Sequence, residues 1–252
     1  MIGILNALRF GEWWDKLATH AVACALLLYA LSSQQAFVFP FAVSFAYSIA
    51  YLSFAYSVNS LSDIREDRMA GKRRDGKHVR AIAFLSGLLS LALPFAFLRQ
   101  DLALLGLLAF LLAAYYSLRP LRFKGNALLG VFVPAIAQRP LPFFLFVLLA
   151  GLQSAESAYL FGWLFLVGAY AILAHQLRDY RGDAKTGIGT LAVRVGKHGA
   201  ESLRNAAFVA LMAYSLAAFL LFPSGPLCSA ILIGISALGF AKQLIFNPVA
   251  QK

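Results

Sequence analysis

The stretch AFVFPFAVSFAYSIAYLSFAYSVNSLSDIRED, residues 36–67, decides the fold. Its first 23 residues, 36–58, carry no charge, and about 20 apolar residues are what a helix needs to cross a hydrocarbon core of roughly 30 Å. Charges then arrive together in Asp63-Ile-Arg65-Glu66-Asp67. An apolar helix that ends in a cluster of charges reads as a membrane span emerging at the surface.

The same reading applied outward gives seven more spans, over residues 17–31, 81–98, 102–118, 127–152, 158–177, 205–222 and 226–246. Composition agrees: 61% of the 252 residues are hydrophobic, the mean hydropathy is +0.74 and only 13% are charged, whereas a water-soluble domain is roughly 45–50% apolar. Disorder, collagen-like repeats and disulfide scaffolds are excluded by the 22 Phe, the irregular Gly and the two cysteines, Cys24 and Cys228. Both cysteines lie in apolar segments and read as small hydrophobes in a reducing setting. Alternating strand patterns are absent, and backbone groups in lipid must be paired internally, so an all-α transmembrane bundle of eight helices is expected. The first fourteen residues lack the apolar core and cleavage site of a signal peptide, so no removal is expected.

The formal charge is +11, and 20 of the 22 Lys and Arg fall at the termini or in the long connections, at residues 65–80, 119–124 and 178–204. Of the short opposite loops, only the one with Arg99 is basic. The positive-inside rule then places the long connections and both termini on the cytoplasmic side of an inner or plasma membrane.

Acidic residues number only eleven, and four of them form two copies of one pattern. Asn59-x-x-x-Asp63-x-x-x-Asp67 closes the second span, and His175-x-x-x-Asp179-x-x-x-Asp183 closes the sixth. On a helix, residues four apart share a face at roughly 6 Å spacing, so each copy is a ladder of oxygen ligands. Four clustered carboxylates repel one another and call for a hard divalent cation, and oxygen-only donors favour Mg²⁺ over zinc or copper. Arg65, Arg68, Lys72, Arg73, Arg74, Lys77, Arg119, Arg122, Lys124 and Lys185 surround the acids. Acidic ladders under a ring of cations suit a metal-bridged diphosphate. The alternative is a structural one, helix capping or surface ion pairs with the neighbouring arginines.

The order and spacing of three stretches resemble the UbiA-type superfamily of intramembrane prenyltransferases: Asn59 to Asp67; Tyr116-Ser-Leu-Arg-Pro120-Leu-Arg122-Phe-Lys124; and Asp179 to Asp183 followed by Lys185-Thr-Gly-Ile-Gly-Thr190-Leu-Ala-Val-Arg194-Val-Gly196. The resemblance implies one integral-membrane domain over residues 1–252, around a central cavity open to the bilayer. Its active-site loops, 59–80, 117–126 and 178–200, would be cytoplasmic. It also implies Mg²⁺ on Asp63, Asp67, Asp179 and Asp183, with Asn59 helping. Lys124 and Arg122 would contact the diphosphate, as would Lys72 and Lys185. The prenyl chain would pass to a lipophilic or aromatic acceptor. The chain departs from the family pattern in having Ser60 where many members have Asp, and eight spans where most have nine.

Breaking an allylic carbon–oxygen bond leaves a delocalised cation and a highly charged diphosphate, so cations lower the barrier and an apolar cavity keeps water out. Tyr47, Tyr51, Phe54, Tyr115 and Tyr116 lie near the cytoplasmic ends of spans two and four, where rings would face such a cation or simply pack. Arg139 falls about 18 Å into the fifth span. A charge at that depth must face protein or water, so the span, with Gln138, Pro134, Pro140 and Pro142, is expected to be broken. Arg139 would bind an anionic acceptor or pair with a residue such as Glu156. His175 would act as a base, ligate metal or make a structural hydrogen bond. His20 reads as a core histidine, and Gly187 and Gly189 as a loop able to approach phosphate. Nucleic-acid binding is excluded by cations interleaved with acids; attraction to membrane lipid heads is expected. Competing functions are a terpene cyclase of the same fold, a cation transporter, and a scaffold that binds lipid diphosphate without turnover.

Overall fold

The computed structural model describes residues 10–31, 37–64, 76–222 and 225–245. Among them no strand occurs, and nine α-helices follow in order: α1 Phe10–Ala30, α2 Val38–Ser62, α3 Gly76–Phe95, α4 Gln100–Ser117, α5 Leu129–Ala137, α6 Pro140–Ala150, α7 Ala155–Thr186, α8 Leu191–Leu221 and α9 Gly225–Ile245. Each of the eight apolar stretches lies mostly within helix, and α5 and α6 are two halves of the fifth. By length and composition α2, residues His78–Phe95 of α3, α4, the Leu129–Ala150 segment, α7 and α8 are able to cross a membrane. Leu104, Phe84 and Leu220 are among the large apolar side chains left exposed, a surface that lipid satisfies and water does not. The chain is therefore an integral membrane protein.

The described chain divides into two compact units. The first takes in α1 as far as Cys24, α2, α3, α4 and α6; α2 packs against α3, α4 and α6. Its buried core includes Trp13, Tyr47, Tyr51, Leu52, Leu102, Phe143 and Phe146. α2 carries a row of buried serines, among them Ser44, Ser48, Ser53, Ser57 and Ser60. Ser48 and Ser60 return their hydroxyls to carbonyls one turn earlier, Ser44 and Tyr56. Small side chains of this kind let helices approach closely in lipid.

The second unit holds the rest of α1 with α5, α7, α8 and α9. Trp163 is buried and donates to Ser215 across α7 and α8 at 3.1 Å. A Cβ at Gly168 of α7 would lie 2.7 Å from the carbonyl oxygen of Ala135 in α5, so only glycine allows this approach. α7 starts on a reciprocal cap, Ser157 N–H to Ser154 Oγ at 3.2 Å and Ser154 N–H to Ser157 Oγ at 2.9 Å. It stops at Gly187, whose φ of 72° is the left-handed backbone that favours glycine.

The expected boundaries move in two places. The sixth span was expected to end near residue 177, yet α7 runs on to Thr186, and residues 191–200 belong to α8. The 178–200 segment is thus mostly helix and not loop, because backbone hydrogen bonding carries on past the last apolar residue while the side chains of 178–186 stay exposed or half-buried. Gly196, with φ 75° and ψ 166°, breaks α8 near its start.

Candidate active site

In the first unit, Asn59 lies in the last turn of α2 and Asp63 caps its end, with the Asp63 amide bonded to the Asn59 carbonyl at 3.1 Å. The Asn59 side-chain oxygen accepts from Ser117 Oγ of α4 at 2.9 Å, which fixes the amide across two helices. Asp63 Oδ1 accepts from Ser62 Oγ at 3.1 Å. Asp67 and Lys72 lie outside the described residues, as do Arg65, Arg68, Arg73 and Arg74. Arg122, after α4, takes a left-handed backbone with φ 40° and bonds its amide to the Leu118 carbonyl at 2.9 Å. Such a backbone is costly for a residue with a Cβ, about 1–3 kcal/mol.

The rings near these positions pack against each other. Tyr47 and Tyr51 stack with centroids 5.8 Å apart, and Phe54 stacks on Phe110 at 4.5 Å. All three of Tyr47, Tyr51 and Phe54 are buried, while Tyr115 and Tyr116 are half-buried.

Arg139 sits at the break between α5 and α6, buried to 2% exposure. The broken span was expected; the partner was not. In place of Glu156, Arg139 meets Asp15 of α1, Nη2 to Oδ2 at 2.7 Å, and its Nε donates to Thr19 Oγ1 at 3.2 Å. Asp15 also receives Lys16 Nζ at 3.2 Å. Lys16 stands just before the apolar stretch that begins at residue 17. Burial, and secondly the positive charge of Arg139, push its ammonium down to about 8. His20 is buried, with Nε2 3.2 Å from Ser44 Oγ and 3.7 Å from Cys24 Sγ. Cys24 and Cys228 are both buried and not joined in a disulfide.

In the second unit, Asp179 and Asp183 do share one face of a continuous helix. His175 takes the rung before them: its Nε2 is 3.4 Å from Asp179 Oδ2, while Arg178 Nη2 approaches its Nδ1 at 3.0 Å. Asp183 Oδ2 accepts from Thr190 Oγ1 at 3.3 Å. The turn beyond Gly187 folds back so that a Cβ on Gly189 would lie 3.3 Å from the Gly125 carbonyl and 3.6 Å from Arg194 Nε. Gly125 ends the short 3₁₀ turn Phe123–Gly125 that carries Lys124. Within this unit, then, Asp183, the Gly189 loop, Arg194 and the Lys124 turn are brought together. Lys124 is buried, and Lys185 is exposed.

Ser117, Thr190 and Gln176 were not singled out from the sequence. Ser117 and Thr190 stand inside the quoted motifs and orient Asn59 and Asp183. Gln176, on the buried face of α7, donates to the Gly130 carbonyl and accepts from the Ala192 amide, both at 3.3 Å, tying α7 to α5 and α8. Its polarity on an otherwise apolar buried face was the available signal. Among the described residues no three His, Cys, Asp or Glu side chains are grouped closely enough to hold a metal by themselves.

The comparisons with known proteins agree on the architecture. A UbiA homolog from Archaeoglobus fulgidus bound to DMAPP and Mg²⁺ superposes with a TM-score of 0.73 at 21% identity, covering 96% of this chain and 86% of that one. The same homolog bound to GPP and Mg²⁺ gives 0.71 at 22% identity, with 96% and 86% covered. A structure described as giving insight into digeranylgeranylglyceryl phosphate synthase in membranes gives 0.65 at 16% identity, covering 97% of this chain and 92% of that one. No curated protein matches. The model of the UbiA prenyltransferase family matches residues 17–250, nearly the whole chain, and the chain belongs to that family.

Proposed function

We propose that the chain is an intramembrane prenyltransferase that moves the isoprenyl group of a prenyl diphosphate to a lipophilic or aromatic acceptor, releasing diphosphate. The observation that carries this reading is the Asp179–Asp183 pair on one face of α7, with Asp183 beside the loop that meets the Lys124 turn. Acid and cation at one spot serve a metal-bridged anion better than they serve transport, which needs ionisable groups at several depths. The neighbours bound to DMAPP or GPP with Mg²⁺ support it.

Mg²⁺ is the expected cofactor, and the donor set fits it. Asp179 and Asp183 offer hard oxygens along one helix face, Asp63 and Asn59 offer them at the end of α2, and Asp67 completes the first ladder in sequence. With two carboxylates per ladder in the sequence, the rest of the coordination would be left to water and phosphate, as magnesium prefers. When bound, the metal neutralises the leaving diphosphate. Lys124, Arg122, Lys185 and Lys72 take phosphate oxygens. Thr190 and Ser117 hold Asp183 and Asn59 in their rotamers, and His175 holds Asp179. As the allylic carbon–oxygen bond breaks, its electron pair departs with diphosphate; the acceptor forms the new bond and loses a proton. An apolar cavity open to the bilayer would keep the intermediate cation from water.

The test is transfer of label. Full-length chain in membranes, given labelled geranyl diphosphate and Mg²⁺, moves label into the lipid extract. Asp179→Asn and Asp183→Asn, folded by melting temperature, lose about 100-fold or more of that rate, and chelation abolishes it. Folded Asp variants working at the unmutated rate would overturn the assignment, and hydrocarbon or alcohol released from donor alone would mark a cyclase.

A further inference from the structure

Arg139 carries five N–H donors, and the first unit satisfies only some of them. Nε is taken by Thr19 and Nη2 by Asp15, while Nη1 is buried with no partner. A buried guanidinium N–H left unpaired costs about 1–3 kcal/mol. The neighbouring residue shows the same feature: Gln138 Oε1 is also buried and unpartnered. Arg139 and Lys16, 2% and 7% exposed, both meet the carboxylate of Asp15, and Lys16 Nζ also donates to the Glu12 carbonyl at 2.9 Å. The cluster therefore holds two buried cations side by side and an idle guanidinium donor in a place where neither is cheap.

Asp15 is 37% exposed, so the cluster is reachable from its side. Lys16 Nζ lies 5.4 Å over the Tyr56 ring, and the Tyr56 hydroxyl donates to the Glu12 carbonyl at 3.4 Å. Tyr56 precedes Asn59 by three residues on α2, about 4.5 Å along the axis. The cationic pair thus stands within the same unit as the first motif and about one turn from it.

We propose that Arg139 and Lys16 receive the anionic group of the acceptor, a carboxylate or a phosphate carried on an aromatic or lipid body. The donor diphosphate is a poorer fit: it needs carboxylates free for metal, and Asp15 is already committed to two cations. The identification of the ligand as acceptor rests on the prenyltransferase reading; the anion site itself does not.

The test measures equilibrium binding to the full-length protein in detergent, with neither Mg²⁺ nor donor present. Benzoate and phenyl phosphate are the anionic probes and benzyl alcohol the neutral one. Wild type binds at least one anion more tightly than benzyl alcohol, and the preferred anion names the acceptor class. Arg139→Gln weakens that anion about tenfold or more, the loss of a charge-assisted hydrogen bond. It leaves benzyl alcohol unchanged, and geranyl diphosphate with Mg²⁺ unchanged in a parallel titration. Arg139→Lys recovers part of the loss. Absence of anion binding to wild type, or equal binding by a folded Arg139→Gln, overturns the proposal. So does a parallel fall in geranyl diphosphate affinity, which would give the cluster to the donor. If Arg139→Gln does not fold, Lys16→Gln decides by the same criteria. Failure of the prenyltransferase reading looks different: Asp179→Asn keeps its activity while anion binding is untouched.

Discussion

Replacing Gly168 by Ala tests how the helix carrying Asp179 and Asp183 is seated. The new Cβ would stand 2.7 Å from the Ala135 carbonyl oxygen, 3.0 Å from its Cα and 3.2 Å from its carbonyl carbon, all backbone atoms that no side-chain rotation can move. Ordinary contact lies at 3.4 Å or more, so α7 and α5 must part by more than half an ångström, about the overpacking that costs 1–3 kcal/mol. At roughly 2–4 °C per kcal/mol for a chain of this size, the melting temperature should fall by about 2–12 °C. Gly239→Ala is the matched control: it is exposed in α9 with nothing within 4 Å of the added Cβ, and relief of glycine's helix penalty should stabilise by up to about 1 kcal/mol. Both are read by thermal unfolding in one detergent, followed by tryptophan fluorescence. Because α5 follows the Lys124 turn and α7 bears the acids, label transfer should fall in Gly168→Ala and not in Gly239→Ala. A Gly168→Ala protein that melts at or above the wild-type temperature would refute the packing argument.

Gln176→Leu leaves the Gly130 carbonyl and the Ala192 amide without their partner, and should destabilise by about 1–3 kcal/mol in the same melt. Thr190→Val removes the hydroxyl on Asp183 while keeping the shape; Mg²⁺ should be needed at higher concentration for half-maximal transfer, with the melting temperature little changed. Lys16 is surrounded by Arg139, Asp15, Glu12 and the Tyr56 ring. With its ammonium lowered to about 8, it is charged below that pH and neutral above it, so benzoate affinity should drop as pH rises from 7 to 9. In Lys16→Gln that step should vanish.

The fold was legible because apolar length is a one-dimensional signal: a run such as 36–58 announces a span without knowledge of its neighbours. That Asp179 and Asp183 share a face was legible for a similar reason, since four-residue spacing means one face on any helix. The end of α7 was not, because hydropathy stops at residue 177 while hydrogen bonding continues to Thr186. Nor was the partner of Arg139: Asp15 is 124 residues away, and pairing at that range is decided by which helices pack together. Thr190 and Ser117 were hidden because their role is to orient another side chain, and a single hydroxyl inside a motif does not announce that.

The unbroken length of α7 has a consequence for the membrane around it. Its 32 residues span about 48 Å, well beyond a hydrocarbon layer of roughly 30 Å. Arg178–Thr186 therefore forms a stiff lever on the anchored part. A bilayer of longer or shorter acyl chains is accommodated by helix tilt. Asp183 sits about 9 Å past the apolar segment, so a tilt change of about 10° swings its carboxylate by about 2 Å. The thickness of the lipid is thereby wired into the position of the acid pair.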